Sequence, residues 1–190
     1  MAESTVWTVG HSTHPLAVFL SMLQANGIER LVDVRTIPGS RRYPHFGEEP
    51  LARSLQEVGI RYERIAELGG RRRRDPAADD RNAAWRNQSF RNYADYAQTE
   101  PFARGLEHLL ATAAQQRTAI MCAEAVPWRC HRSLIADALI VRGVPVLDIM
   151  SPTSSVPRKP TSFARFDGER VTYPEVAPAE ASQSAPVRDS

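Results

Sequence analysis

Lysine is almost missing from this chain. Of its 24 basic residues only Lys159 is a lysine, and the rest are arginines. Cysteine is nearly as scarce, with Cys122 and Cys130 alone among 190 residues. Two cysteines do not make a disulfide framework. That excludes the small stapled folds, and both side chains are expected to be thiols in a reducing compartment. No apolar run comes near the ~20 residues that span a bilayer, so no transmembrane helix and no membrane partner are expected. Met1, Ala2, Glu3, Ser4 and Thr5 offer neither the basic region nor the apolar core of a signal peptide, and a cytoplasmic location follows as the expectation. Neither a Gly-rich P-loop nor a G-x-G-x-x-G stretch is present. The net charge is only +2, so the whole molecule is not a polycation. A coding bias accounts for an arginine excess. Arginine forks also suit phosphate and carboxylate, and the two explanations are compatible.

What the chain does have is a 42% hydrophobic content, enough for one core of ordinary size. Residues 6–9 (Val-Trp-Thr-Val) read as a strand ending in Gly10-His11-Ser12. A helix follows Pro15, with Leu16, Phe19, Leu20 and Leu23 on one face. Residues 31–34 (Leu-Val-Asp-Val) form a second strand, and this strand, helix, strand order predicts a parallel βαβ unit. Further strands are predicted over residues 60–65, 119–122 and 144–149. Helices are predicted over residues 50–58, 93–98 and 101–115 and after Cys130. Pro145 places the last strand's start near an edge or a strand end. The fold class expected is α/β: a three-layer sandwich with a mostly parallel sheet of about five strands flanked by helices. Residues 1–151 make the single domain, with a polar insertion at 71–88. Residues 152–190 read as a mostly disordered Pro- and Ser-rich tail, with a hairpin signal at 163–173 around Asp167-Gly168.

The chemistry gathers at the ends of strands. Open α/β sheets bind ligands outside the carboxyl ends of their strands. The first strand ends in His11 and Ser12, the second in Asp33 and Arg35, the fourth in Cys122 and Glu124. Parallel pairing would bring these groups to one edge. The turn from Cys122 to the next helix also carries Arg129, Cys130, His131 and Arg132. Cys130 sits where a helix should begin, a place that lowers a thiol's pKa and attracts anions. Each group has a plainer reading as well. Asp33 and Arg35 would serve as a structural ion pair, His11 as a partner of a backbone carbonyl, and Cys122 as a small buried hydrophobe.

Spacing narrows the options. Seven residues separate the cysteines, outside the two to four of a zinc knuckle, so no metal and no cofactor are assigned, although Cys122, Cys130, His131 and a distant histidine remain a conceivable set. A phosphate-cradling loop places arginine after five intervening residues. Counted from Cys122 that position is Trp128, and Arg129 comes one residue late. Arg35, Arg41, Arg42, Tyr43, His45 and Phe46 form a basic, aromatic loop suited to phosphate contact and base stacking. The four arginines at 71–74 would add non-specific attraction to nucleic acid.

Taken together, Thr8-Val9-Gly10-His11-Ser12, Asp33-Val34-Arg35 with Pro38 and Ser40, Leu68-Gly69-Gly70, and Met121-Cys122-Ala123-Glu124 followed by Cys130-His131-Arg132 resemble the domain-of-unknown-function 488 family. The resemblance runs from about residue 5 to residue 151. It implies a compact α/β domain and no particular reaction. The functional expectation rests on the residues. It is an enzyme acting on a small anionic, phosphate-bearing, nucleotide-like substrate. Cys122 or Cys130 would be nucleophile or redox thiol, and Glu124 or His11 general acid/base. Ser12, Asp33, Arg35, Arg129, His131 and Arg132 would bind or orient the anion. The alternative is a non-catalytic module that binds nucleic acid or nucleotides through the basic loops.

Overall fold

The computed structural model describes residues 4–39 and 41–175. Ser40 and the tail residues 176–190 lie outside the described residues. Among the described residues the strands and α-helices follow in order: β1 (Val6–Gly10), α1 (Leu16–Ala25), β2 (Arg30–Asp33), α2 (Glu48–Glu57), β3 (Arg61–Arg64), α3 (Gln88–Tyr96), α4 (Glu100–Ala113), β4 (Thr118–Cys122), α5 (Arg132–Ile140), β5 (Val146–Ser151), β6 (Ser154–Pro157), β7 (Arg165–Asp167) and β8 (Arg170–Thr172). The sheet has six strands in the order β3-β2-β4-β1-β5-β6. The first five are parallel and β6 closes one edge antiparallel to β5. The α/β class and the mostly parallel sheet expected from the sequence are what the structure has. The sixth strand comes from the segment whose composition reads as tail.

Strand periodicity explains the two cores. Trp7, Val9, Leu31, Ala119 and Met121 face one side and pack with Phe19, Met22 and Leu23 of α1 and Leu51 and Leu55 of α2. Val6, Val32, Ile120 and Cys122 face the other side and pack with Tyr93 of α3, Leu106 and Leu109 of α4, and Leu134, Ile135 and Leu139 of α5. Both faces of the central strands are covered, which is why β1 and β4 are buried along their whole length. Burial on this scale is what overcomes the chain entropy lost on folding.

Two details of the β1–β4 pair position the site. Their register runs from Val6↔Thr118 to Gly10↔Cys122. It continues past the strand ends, because His11 N–H donates to Cys122 O at 3.0 Å and Ser12 N–H to Ala123 O at 2.9 Å. A Cβ on Gly10 would fall on the carbonyl oxygen of Glu124. Glycine is therefore what lets the loop after β4 lie against β1.

Pro145 immediately precedes β5, where its missing N–H costs nothing, and its carbonyl accepts from Val6 N–H at 3.0 Å. The hairpin of β7 and β8 pairs Asp167 with Arg170, so Gly168 and Glu169 form the turn and Gly168 takes the positive φ of 56°. Buried Tyr173 then fastens this segment. Its hydroxyl donates to Asp137 Oδ2 of α5 at 2.8 Å, and its N–H reaches Arg81 O at 3.0 Å in the polar insertion. Among the described residues no helix is long and apolar enough to cross a membrane.

Candidate functional site

The sheet separates the candidate residues into two hydrogen-bonded clusters, one on each face at the carboxyl edge. On the α1/α2 face, Asp33 receives the Arg35 guanidinium, with Nε at 2.9 Å and Nη2 at 2.6 Å, together with the Tyr62 hydroxyl at 2.7 Å. Arg35 Nη1 donates to Phe46 O at 2.8 Å and to His11 Nε2 at 3.4 Å. His11 Nδ1–H donates to Ser12 O at 3.0 Å, and its ring stacks on Phe46 at 4.2 Å. Both imidazole nitrogens are thus engaged. Burial is the main reason the His11 pKa falls to about 4, and the Arg35 charge adds to it. His11 is neutral at pH 7. Ser12 is held through its backbone at a φ of 45°.

The α3–α5 face carries the sulfur cluster. Arg132, at the start of α5, is 1% exposed. Its Nε donates to Cys122 Sγ at 3.1 Å, its Nη1 to Thr8 Oγ1 at 3.1 Å and its Nη2 to Glu124 O at 2.5 Å. Its backbone N–H points at Cys130 Sγ, 3.5 Å away. Thr8 in turn donates to Asp148 Oδ1 at 2.7 Å. His131 Nε2–H donates to Val34 O at 2.8 Å, which leaves the Nδ1 lone pair 3.5 Å from Cys130 Sγ. A Cβ on Gly70 would overlap the His131 ring, so glycine makes room for the imidazole.

The two thiols are electrostatically unequal. Burial holds Cys122 well above the ordinary thiol range. Burial also pushes Cys130 up, but the Cys122 thiol beside it, the Arg132 charge and the Arg132 backbone N–H outweigh this and bring its pKa down. Burial pushes the His131 pKa down and keeps its ring neutral. Cys122, Cys130 and His131 bring three metal-ligating atoms within 4.8 Å of one another.

Cys122, Cys130 and His131 line a cleft of about 640 Å³, shared with Arg35, Arg71, Glu124 and Arg129. Arg129 and Glu124 are exposed. Ser89 and Phe90 at the start of α3, and Thr36 and Ile37 after β2, also line it. Among the expected anion binders, Arg129 presents itself to the cleft. Arg35 also lines it, but its guanidinium is committed to Asp33, and Arg132 serves the sulfurs. Arg72 is spent on the Gly69, Ala66 and Glu67 carbonyls and lies 3.6 Å over the Tyr96 ring. Phe46 of the basic loop is buried and is no stacking platform.

Residue-level reading passed over Thr8 and Asp148. Their signal was present in the sequence: a hydroxyl and a carboxylate inside apolar strands must find buried partners. Residues 15–139 match the family described as domain of unknown function DUF488. The chain belongs to that family. No curated protein and no solved structure matches it. The DUF488 match covers both free cysteines, Arg132 and the Asp33–Arg35 pair, while His11 and Thr8 precede it.

Proposed function

We propose that this DUF488 protein is an enzyme acting on a small anionic, phosphate-bearing substrate of nucleotide type, with Cys130 as its thiolate nucleophile. The observation that carries the reading is the setting of Arg132. A buried guanidinium costs several kcal/mol unless an anion compensates it. Among the described residues no carboxylate touches Arg132; its guanidinium meets Cys122 Sγ, Thr8 Oγ1 and Glu124 O, and its backbone N–H meets Cys130 Sγ, so the anion-capable atoms around this residue are the two sulfurs. A thiolate on Cys130 supplies the missing charge. Cys122 keeps its proton beside it.

In this reading Arg129 and Arg71 meet the anion at the cleft mouth, and Glu124 is the general acid/base, since its carboxylate is exposed there. His11, Ser12 and Asp33 act as positioning groups. The first two brace the β1–β4 junction, and Asp33 fixes Arg35. The binding-module alternative draws less support, because Arg72 and Phe46 are occupied within the fold.

The test is thiol alkylation against pH on reduced, chelator-treated protein, read by mass spectrometry. Cys130 should react well below pH ~8.5, the ordinary thiol midpoint. Screening with nucleotides follows, and Cys130→Ser and Glu124→Gln should each abolish turnover with an unchanged circular dichroism spectrum. Two inert thiols, or full turnover in both variants, would reject the assignment.

A further inference from the structure

We infer that Cys122, Cys130 and His131 form a three-ligand site for a thiophilic ion of the zinc type, with the fourth coordination position open to the cleft. This goes beyond the nucleophile reading and does not depend on it.

Distance is the first argument. In a tetrahedral complex with Zn–S near 2.3 Å and Zn–N near 2.0–2.1 Å, donor atoms lie about 3.4–3.8 Å apart. Cys130 Sγ and His131 Nδ1 are 3.5 Å apart, already the edge of such a tetrahedron. The whole triangle falls within 4.8 Å, so closing it onto one ion takes side-chain movement of no more than about 1 Å.

Ligand orientation is the second. A metal-binding histidine usually donates its other N–H to a carbonyl or carboxylate, which fixes the tautomer. His131 does this through Val34 O, and its free Nδ1 faces the sulfur. Gly70 leaves the space that the ring fills. Arg132 also sets a donor on each sulfur, Nε on Cys122 Sγ and the backbone N–H on Cys130 Sγ, the outer-shell contacts that orient thiolates created when an ion binds and displaces their protons.

Openness is the third. All three ligating residues line the cleft, and Glu124 shares that wall. Three protein ligands with an accessible fourth position are the arrangement of a catalytic rather than a purely structural zinc site, and two thiolates with one imidazole select soft ions over magnesium or calcium. The seven-residue spacing argues against a zinc knuckle. It does not argue against this site, where the end of β4 and the start of α5 meet in space.

An ion bound here would withdraw both sulfurs from electrophiles, so loaded and stripped protein should differ in thiol reactivity. The experiment uses the full chain, reduced and stripped by chelator. It is titrated with Co²⁺ by visible absorption and with Zn²⁺ by calorimetry. One equivalent of cobalt should give tetrahedral ligand-field bands with thiolate charge transfer, and zinc should displace it and slow alkylation of both cysteines at least ~10-fold. Cys122→Ser, Cys130→Ser and His131→Gln should each weaken zinc at least ~10-fold. That is the smallest loss expected, since even the outer partners of a ligand cost 10–100-fold. A pale octahedral cobalt spectrum, no saturation at one equivalent, or undiminished affinity in any of the three variants overturns the inference. The wild-type spectrum decides the matter even if a variant fails to fold. Tetrahedral cobalt in a protein whose stripped Cys130 stays inert would leave this site standing and remove the nucleophile. Octahedral cobalt with a reactive Cys130 would do the reverse.

Discussion

Arg132 Nε lies 3.1 Å from Cys122 Sγ, and the same residue's backbone N–H faces Cys130 Sγ at 3.5 Å. One buried arginine therefore addresses both thiols of the chain. Replacing it with methionine removes the charge while keeping much of the volume. In Arg132→Met the alkylation midpoint of Cys130 should rise by roughly 1–3 in pH, the usual effect of a charge at this range. From a starting value of about 6, that lowers the thiolate fraction at pH 7 from about nine-tenths to between about a half and about a hundredth. A midpoint that stays in place would show that the helix start alone activates Cys130.

Glycine positions test how closely the loops must approach. A Cβ on Gly10 would meet the backbone carbonyl of Glu124, which cannot move without breaking the His11–Cys122 and Ser12–Ala123 hydrogen bonds. Gly10→Ala should cost about 3 kcal/mol or more in urea unfolding, as overpacking against backbone does. For Gly70→Ala the nearest atoms a Cβ would meet belong to the His131 ring. This variant should lose about 1–2 kcal/mol and shift Cys130 reactivity, because the imidazole is displaced from the sulfur. Equal stability of Gly10→Ala and wild type would contradict this packing.

The His11 setting implies a defined acid sensitivity. Its folded pKa of about 4 lies below the ordinary 6.5, so the unfolded chain binds the extra proton between these values. Stability from a neutral His11 is complete above pH 6.5 and is lost as pH falls through about 4. The loss should total roughly 3 kcal/mol, at 1.36 kcal/mol per pH unit of displacement. Urea midpoints of wild type and His11→Asn, compared from pH 7 to pH 4, measure it. The variant's stability should fall less over that window, and parallel curves would refute the assignment.

Tyr173 connects a late segment to α5 through Asp137, a buried carboxylate that also accepts from Thr161 N–H at 2.9 Å. Tyr173→Phe leaves an Asp137 oxygen short of a donor and should cost about 1–3 kcal/mol by chemical denaturation. Truncation after Ser151 removes β6, β7 and β8 as well and should cost more than the point substitution. A truncated chain as stable as the full one would mean that this segment only decorates the domain.

Much of this protein is written locally. Period-two and helical spacing of apolar residues specified the parallel α/β core, because such spacing reports directly which face of an element is buried. Polar residues at the ends of β1, β2 and β4 marked the edge where the candidate side chains gather for the same reason: strands of one parallel sheet finish on one side. Which of those residues meet was decided elsewhere. Arg132 reaches Thr8 across 124 residues, and Thr8 reaches Asp148 across 140. His11 and His131 look alike in sequence, yet one is locked between Ser12 and Arg35 while the other turns a free nitrogen toward Cys130. The low apolar content after Met150 gave no sign that Tyr173 would be buried on α5. A hydrogen-bond partner or a burial site for a single side chain is a property of distant segments packed together, and no local pattern carries it. Sequence by itself determined the layers and the edge. Tertiary structure decided the approach of the two free thiols, because only the folded sheet sets the end of β4 against the first turn of α5.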